Sequence, residues 1–339
     1  MNAPLASPGL RANRPRISVI GAGPGGLAIA MILAARGARV TVHEKDEVVG
    51  GRTRTLRTKE GFKFDLGPTF FLYPRILQEI FQSVGTRLED EVPLIQLDPL
   101  YRLVFENAAY LDATADEARM EAEIAKICPA DAAGFRPFVE ENRRKLAAFR
   151  PVLEKPFPNK RRFLHPEVLK SIPLLRPHTT VDQDLSRHFS DPRVRLAFSF
   201  QTKYLGMSPF RCPSLFTILS FLEYECGVWH PVGGCGAVSD AMARVAGNMG
   251  VEFRMNEAVE AIAYEGKRAV GVESGGRRTD ADAVVINADF AHTIPKLVPN
   301  GMRKQWPDKR IDRAQYSCST FMLYPVSYTH LTLPTKRIV

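Results

Sequence analysis

The sequence predicts an α/β fold: a discontinuous α/β domain that carries an inserted α+β domain, the insertion being mostly helical. Three observations indicate this fold. A short apolar run passes through a glycine-rich turn into a helix-forming run near the start, the middle of the chain shows helical patterns, and short β-rich runs return after about residue 231. With 339 residues, the chain is long enough for two domains.

The first predicted elements form a βαβ unit. Residues 16–20 make a short apolar strand, residues 27–36 are rich in helix formers and end at Gly37, and residues 39–44 show the alternation of a second strand. Residues 1–15 lack the apolar segment of a secretory signal. We predict that they form a flexible arm before the first strand.

A helix and two strands are predicted next. Residues 74–84 place apolar side chains at helical spacing, and Gly85 follows as a stop signal. Residues 92–97 and 101–106 have strand character on either side of Asp98-Pro99, and we expect them to pair with each other.

Helices are predicted through the middle of the chain. Thr114, with Glu117 three residues on, has the spacing of a capping box, and Asp131 is placed to cap a second helix. Residues 151–177 contain six prolines and are predicted to be irregular. Helical patterns resume over residues 181–226.

The last part of the chain combines one helix with short strands. The helix is predicted over residues 237–249, and the strands over residues 251–254, 258–264, 268–273 and 283–286.

Composition excludes several classes of protein. Hydrophobic residues make up 45% and charged residues 24%, which is typical of a packed globular chain and not of a disordered one. The formal net charge is +9, but no nucleic-acid-binding motif accompanies it, so we expect no nucleic acid partner. The five cysteines form no C-x-x-C pair, and we expect no metal site.

The glycine-rich turn carries the clearest functional signal. Gly21, Gly23 and Gly26 fit the G-x-G-x-x-G pattern between a strand and a helix, where a pyrophosphate can approach the backbone and the helix N-terminus. Glu44 ends the next strand, 18 residues after Gly26, where a carboxylate suits a ribose 2′-hydroxyl and repels a 2′-phosphate. The pattern predicts an adenine dinucleotide other than NADP.

Two further motifs favour FAD over NAD. Gly50-Gly51-Arg52 offers a second close approach of backbone beside a guanidinium group, six residues beyond Glu44. Gly67-Pro68-Thr69 is typical of a rigid turn that could lie near a flat ring.

These motifs together resemble a known family. The run VIGAGPGGLAIAMILAARGARVTVHEKDEVVGGRTRTLRTKEGFKFDLGPT is similar to the N-terminus of bacterial-type phytoene desaturases, FAD enzymes of carotenoid biosynthesis. Residues 204–210 and 227–234 resemble the middle region of that family, and residues 285–289 resemble its return to the flavin domain. Amine oxidases and protoporphyrinogen oxidase, in the wider group, share the glycine motif.

The resemblance implies a Rossmann-like FAD-binding domain and assigns residues to the cofactor. The residues expected to hold its phosphates and ribose are Gly21, Gly23, Gly25, Gly26, Glu44, Gly51 and Arg52. Those expected beside the isoalloxazine are Gly67, Pro68 and Thr69. Val259 would meet the adenine end through its backbone, and Asp289 would line the cofactor channel.

The same resemblance implies a division into domains. The FAD-binding domain would comprise residues 16–88 and 231–295, and the substrate domain, with its membrane-contacting face, residues 89–230. Residues 296–324 would begin the return to the substrate domain.

The implied activity is desaturation of an acyclic carotenoid precursor such as phytoene or a C30 analogue. A hydride would pass to the flavin N5 and a proton would leave the adjacent carbon, a reaction that needs no acid–base triad. No catalytic residue is assigned. Phe198, Phe200, Phe216 and Phe221 could line an apolar tunnel, although such residues more often form ordinary core. The implied partners are a long apolar polyene, a membrane surface, and oxygen or a quinone as electron acceptor.

Other activities stay open at this point. The same scaffold suits a polyene isomerase, a hydroxycarotenoid desaturase or a terminal oxidase, and an inactive truncated flavoprotein fragment or partner-binding subunit is a further alternative. No apolar run approaches the roughly 20 residues of a membrane helix. We therefore expect a cytoplasmic protein, peripherally bound to the inner face of the cell membrane.

The end of the chain departs from the family pattern. Family members close with a second glycine-rich segment that contacts the flavin, whereas Gly301 is the only glycine after Asp289. Residues 325–339 do not resemble the family, and we interpret them as a non-native tail on a truncated product. A chain truncated in this way would bind FAD poorly, which is the physical basis of the inactive-fragment alternative.

Overall fold

The computed structural model describes residues 14–106, 108–153, 165–317, 321–322 and 324. Its α-helices are α1 (Pro24–Ala35), α2 (Arg75–Ser83), α3 (Leu88–Glu91), α4 (Glu117–Ile127), α5 (Phe135–Leu153), α6 (Pro166–Leu175), α7 (Val181–Leu185), α8 (Pro192–Ala197), α9 (Thr217–Cys226), α10 (Gly236–Asn248), α11 (Phe290–Leu297) and α12 (Asp308–Asp312). Its strands are β1 (Arg16–Ile20), β2 (Arg39–His43), β3 (Thr55–Arg57), β4 (Lys63–Asp65), β5 (Leu94–Gln96), β6 (Tyr101–Val104), β7 (Tyr110–Ala113), β8 (Trp229–Pro231), β9 (Glu252–Arg254), β10 (Ala261–Glu265), β11 (Arg268–Ser274), β12 (Arg277–Asp280) and β13 (Ala283–Ile286).

A four-stranded parallel sheet organises the first structural region. Its strand order is β13-β1-β2-β9, so that the start of the chain and a segment more than 200 residues later share one sheet. Successive residues of a strand point to opposite faces. Val19 accordingly packs with α1 and α10 on one face, and Ile20 packs with the antiparallel sheet β10-β11-β12 on the other. The predicted α/β class with a discontinuous sheet is confirmed.

The helical middle region has a separate core rich in aromatic side chains. Phe189 and Phe198 stack with ring centroids 4.7 Å apart, and Phe135 and Phe138 close around them. Phe198 and Phe221, two of the residues considered for a tunnel, are fully buried in this core. Phe200 and Phe216, the other two, are only partly buried. The ordinary-core interpretation therefore holds for the first pair.

The predicted pairing of residues 92–97 with 101–106 is wrong. β5 pairs antiparallel with β8, which lies more than 130 residues later, and β6 forms a hairpin with β7. A short turn joins β6 to its partner. The partner of β5 is brought to it by packing of the whole chain, which the local pattern does not encode.

Two predicted helix caps are also wrong, although the helices themselves are present. Asp116, and not Thr114, caps α4 by accepting a hydrogen bond from the Arg119 amide at 2.9 Å. The buried carboxylate of Asp131 instead accepts hydrogen bonds from Ser190 and Asp191, so it ties the start of α5 to the loop before α8. At the start of α4, Asp116 lies next to the helix and takes the capping position that the spacing gave to Thr114. Near the start of α5, the hydrogen bonds of Asp131 go to residues about 60 positions away in the sequence.

The proline-rich segment is less irregular than predicted. α5 continues to Leu153, and α6 begins at Pro166. Proline suits the first helical position, because an amide hydrogen at that position would have no hydrogen-bond partner within the helix. Among the described helices, none combines the length and apolar character that a membrane span requires. The predicted tail, residues 325–339, and most of the predicted arm lie outside the described residues.

Candidate functional site

The candidate site lies where three parallel strands end. Gly21 follows β1, Glu44 follows β2 and Asn287 follows β13, so all three lie at the carboxyl edge of the sheet, where open α/β sheets bind ligands. The Gly21 amide donates to the His43 carbonyl, and the Asn287 amide donates to the Ile20 carbonyl, each at 2.8 Å. These bonds hold the three connections side by side.

The glycine turn is so closely packed that side chains do not fit at its key positions. Gly21 has φ of 99°, and a Cβ atom there would overlap the backbone carbonyl of Asn287. A Cβ atom at Gly26 would overlap the Gly21 carbonyl, and one at Gly25 would lie 2.6 Å from the Asn287 Oδ1 atom. Glycine at these positions lets β1, α1 and the segment after β13 come into direct backbone contact.

The N-terminus of α1 is open to an anion. Gly23 is the N-cap, Pro24 occupies the first turn, and no side chain among the described residues caps this helix end. No acidic residue stands in the first turn. The unpaired amides and the positive end of the helix dipole therefore favour a phosphate group at this point.

Glu44 fixes the geometry of the turn. Its side chain is almost completely buried; Oε2 accepts a hydrogen bond from the Ala22 amide at 2.7 Å, and Oε1 accepts one from the Asp46 amide at 3.1 Å. Each carboxylate oxygen has a second acceptor position, which leaves capacity for a ribose hydroxyl. The Glu257 amide donates to the Glu44 carbonyl at 2.8 Å, which places the segment that contains Val259 alongside Glu44.

The second glycine motif lies directly against the first. The Gly50 amide donates to the Ala22 carbonyl at 2.8 Å, and a Cβ atom at Gly51 would approach the Gly23 Cα atom to 3.3 Å. Both Gly50 and Gly51 have positive φ, of 102° and 50°, which glycine adopts readily. Two backbone turns thus form one continuous surface.

Arg52 and Asp289 meet at the mouth of this surface. The Arg52 Nη2 atom lies 3.0 Å from Asp289 Oδ2, and the Arg52 side chain is 84% exposed. Asp289 also caps α11 by accepting from the His292 amide at 3.1 Å. An exposed guanidinium group held by one carboxylate keeps donors free for an anionic ligand.

The Gly67–Thr69 segment completes the site. A Cβ atom at Gly67 would overlap the Arg52 carbonyl, so this residue packs on the second glycine motif. Pro68 and Thr69 are exposed, and the Thr69 carbonyl accepts a hydrogen bond from His230 Nδ1 at 2.7 Å. Because a carbonyl oxygen only accepts, Nδ1 carries the proton.

The structure therefore brings the residues selected from the sequence into one region, with Val259 at the Glu44 end. Sequence reasoning missed Asn287, whose side chain lies over Gly23 and Gly25, and it did not select His230 as a site residue. Asn287 directly follows β13, and the rule that ligands bind beyond the carboxyl ends of parallel strands was the signal that could have found it.

His43 lies beneath the glycine turn and is wholly buried. Its Nδ1 atom lies 2.9 Å from Glu257 Oε1, and its Nε2 atom has no hydrogen-bond partner among the described residues. Burial lowers the pKa of His43 and outweighs the opposing hydrogen bond and charge of Glu257. The contact is therefore one in which a neutral imidazole donates to a carboxylate.

We expect acid to destabilise the protein through His43. The unfolded side chain binds a proton near pH 6.5, whereas the folded one resists it, so this contribution is complete above about pH 6.5 and is lost as the pH falls below it. Urea unfolding at about pH 7.5 and 5.5 measures the loss, and His43→Gln should show a smaller one. A wild-type protein that became more stable on acidification would show that His43 forms a charged pair instead.

The parallel sheet, the paired glycine turns and the open helix N-terminus define a dinucleotide-binding oxidoreductase fold. Residues 24–336 match the family described as flavin containing amine oxidoreductase, and the chain belongs to that family. The cofactor class is therefore a flavin. The site fits such a group, because backbone amides, small residues and one exposed guanidinium line a surface that a long anionic cofactor can approach.

Characterised relatives are similar over most of this chain. It is 38% identical over 314 residues to a 4,4'-diapophytoene desaturase (4,4'-diapolycopene-forming) of Methylomonas sp, which covers 92% of this chain and 61% of the relative. It is 40% identical over 313 residues to an all-trans-zeta-carotene desaturase of Myxococcus xanthus, covering 91% and 59%. The chain thus spans about three fifths of the length of these relatives.

Solved structures support the fold. Putrescine oxidase, in a triple-mutant form, superposes with a TM-score of 0.56 at 19% identity, covering 84% of this chain and 60% of that one. A fatty acid isomerase of P. acnes superposes with a TM-score of 0.55 at 15% identity, covering 84% and 61%. At these identities the likeness describes the fold and not the reaction.

Proposed function

We propose that this chain belongs to an FAD-dependent desaturase that introduces double bonds into an acyclic carotenoid precursor such as phytoene or its C30 analogue. The observation that carries the proposal is the identity of 38% and 40% to two desaturases of such substrates, along more than nine tenths of this chain. The carboxyl-edge site supports it, because its glycine turns and Arg52 suit the two phosphates of FAD.

The residues at the carboxyl edge would hold FAD in a defined order. The α1 N-terminus and Gly51 would face the pyrophosphate, Glu44 the adenosine ribose, and the backbone near Val259 the adenine. Gly67, Pro68 and Thr69 would flank the isoalloxazine, while Arg52 and Asp289 would close the cofactor channel. When bound, the flavin would supply hydride acceptance.

The protein's own part in the reaction is to position the polyene and to exclude water. We propose that residues 89–230, which have their own aromatic core, form the substrate domain, and that residues 16–88 and 231–295 form the FAD-binding domain. The carbon chain has no polar group for recognition, so binding would depend on apolar contact area. The final electron acceptor would be oxygen or a quinone.

We further propose contact with a membrane surface, where such a substrate dissolves. α6 exposes Leu169 and Ile172, three residues apart and hence on one face of the helix, at 47% and 41%. The net charge of +9 adds attraction to anionic lipid. This contact would place the protein at the inner face of the cell membrane.

A liposome assay tests the proposed function. The purified chain, supplied with FAD, is incubated with phytoene or diapophytoene in anionic vesicles. We expect the absorption spectrum of a polyene with more conjugated double bonds, and we expect the protein to float with the vesicles in a density gradient. Parallel titrations with FAD, FMN and NAD should show preference for FAD. Conversion of a different polyene alone would move the assignment to an isomerase or terminal oxidase, and absence of yellow colour after FAD addition would contradict it altogether.

A further inference from the structure

A buried carboxylate in the helical region is held by neutral hydrogen-bond donors. Glu223 on α9 is fully buried, and no basic side chain of the described residues lies within ion-pair distance of it. Its Oε2 atom accepts hydrogen bonds from the Tyr101 hydroxyl at 2.6 Å and from Gln201 Nε2 at 2.7 Å, and its Oε1 atom accepts one from the Tyr204 hydroxyl at 3.3 Å. A carboxyl group in such a place can hold a proton.

Tyr204 connects this carboxyl group to the cofactor side of the molecule. Its residue is 42% exposed, and its ring packs edge-on against Phe70 with centroids 6.4 Å apart. Phe70 directly follows Thr69, the end of the segment proposed to flank the isoalloxazine. The Tyr204 side chain thus contacts Glu223 through its hydroxyl group and, through its ring, the residue next to the segment proposed to flank the isoalloxazine.

Dehydrogenation of a CH–CH unit releases a hydride and a proton. We propose that Glu223, acting through Tyr204, accepts that proton, an inference that rests on the proposed function. The C–H bond gives its proton to the Tyr204 oxygen while the Tyr204 hydroxyl proton passes to Glu223, and the electron pair of the bond completes the new C=C bond. The bound oxidised flavin would supply the acceptor for the hydride of the neighbouring carbon, which leaves with the other electron pair.

The surroundings of Glu223 suit a proton acceptor. Burial raises its pKa and outweighs the hydrogen bonds from Tyr101, Gln201 and Tyr204, which act in the opposite direction. A raised pKa makes the carboxylate a stronger base than an exposed one.

The other titratable groups around Glu223 do not neutralise it. The charge of Lys203 lowers the pKa of Glu223 by less than burial raises it. Tyr224, on the same helix, keeps its proton because burial raises the pKa of its hydroxyl group. α5 directs Arg143 to Glu225 and Lys145 to Thr217, away from Glu223.

Infrared spectroscopy tests the proton-holding role without turnover. We expect a protonated-carboxyl band that persists above the ordinary glutamate pKa of about 4.3 and fades as the pH rises. Glu223→Gln should abolish it, and the matched surface substitution Glu225→Gln, two residues away on α9, should leave it unchanged. Tyr204→Phe should shift the band, because one hydrogen bond is lost. A band that survives Glu223→Gln, or is absent from the wild type, overturns the proposal.

Single-turnover bleaching of the flavin by bound polyene tests the transfer itself. Glu223→Gln should slow bleaching by about 100-fold or more and remove the rise in rate with pH, while Glu225→Gln behaves as wild type. Tyr204→Phe should also be slow, whereas Tyr110→Phe, on the exposed β7 hairpin, should not. If Glu223→Gln bleaches at the wild-type rate, this inference alone fails. If the wild type does not bleach with any polyene, the proposed function fails as well.

Discussion

Replacing Lys145 by methionine is expected to lower the free energy of unfolding by about 3–5 kcal/mol, because it leaves buried carboxylates without their main cation. The Lys145 side chain is completely buried on α5, where Nζ contacts Asp184 on α7, Glu141 at 3.0 Å and Thr217 on α9 at 3.3 Å. Burial alone would raise the pKa of Glu141, but hydrogen bonds and charge from Lys145 and Arg176 outweigh it and lower that pKa.

Urea unfolding of the two proteins measures this effect, and the midpoint is expected to fall without a change in slope. Lys126→Met is the matched control, because Lys126 forms an exposed pair with Glu123 and its loss should change stability little. Lys145→Met combined with Asp184→Asn should recover part of the loss, since one uncompensated charge is then removed. Equal stability of Lys145→Met and wild type would mean that Arg176 and Arg187, which also contact Glu141 and Asp184, balance the carboxylates without Lys145.

Gly26→Ala is expected to weaken flavin binding by at least about tenfold while the helical region stays folded. The added Cβ atom would overlap the Gly21 carbonyl, so α1 must move away from β1 and carry its N-terminal amides with it. Overpacking of this kind costs about 1–3 kcal/mol in stability. A loss of about 1.4 kcal/mol in binding already lowers affinity tenfold, and we expect at least that effect on FAD.

Titration with FAD, followed by the quenching of flavin fluorescence, measures the loss of binding. Gly247→Ala in α10 is the control, because a Cβ atom there meets nothing within 4 Å and the substitution should instead stabilise the helix by about 0.5 kcal/mol. Wild-type affinity in Gly26→Ala would place the cofactor away from the glycine turn.

Much of the carboxyl-edge site could be predicted because its signals are local. The turn between β1 and α1 permits only glycine at Gly21 and Gly26, and the length of one helix fixes the distance to Glu44, so these residues follow from short spacing rules. The helix at residues 75–83 and the strands at 252–254 and 283–286 were predicted for the same reason, since hydrophobic periodicity acts within a few turns.

Contacts between distant segments could not be predicted in this way. The pairing of β5 with β8, the use of Asp131 to hold Ser190, and the meeting of Tyr204 with Phe70 join residues separated by 59 or more positions, and no local pattern encodes them. Buried polar groups such as Glu223 and Lys145 look like ordinary surface residues in the sequence, because burial depends on what packs around them.

The sequence by itself determined the glycine turns, the α/β class and the flavin family, because steric limits on the backbone and the periodicity of apolar side chains act over short distances. Only the tertiary structure decided which strands pair, which carboxylates lose their water and which side chains reach the Gly67–Thr69 segment. Those outcomes depend on how segments from the whole chain pack together. The same packing supplies the hydrogen-bond and ion-pair partners of each buried charge, and those partners set the free energy of burying it.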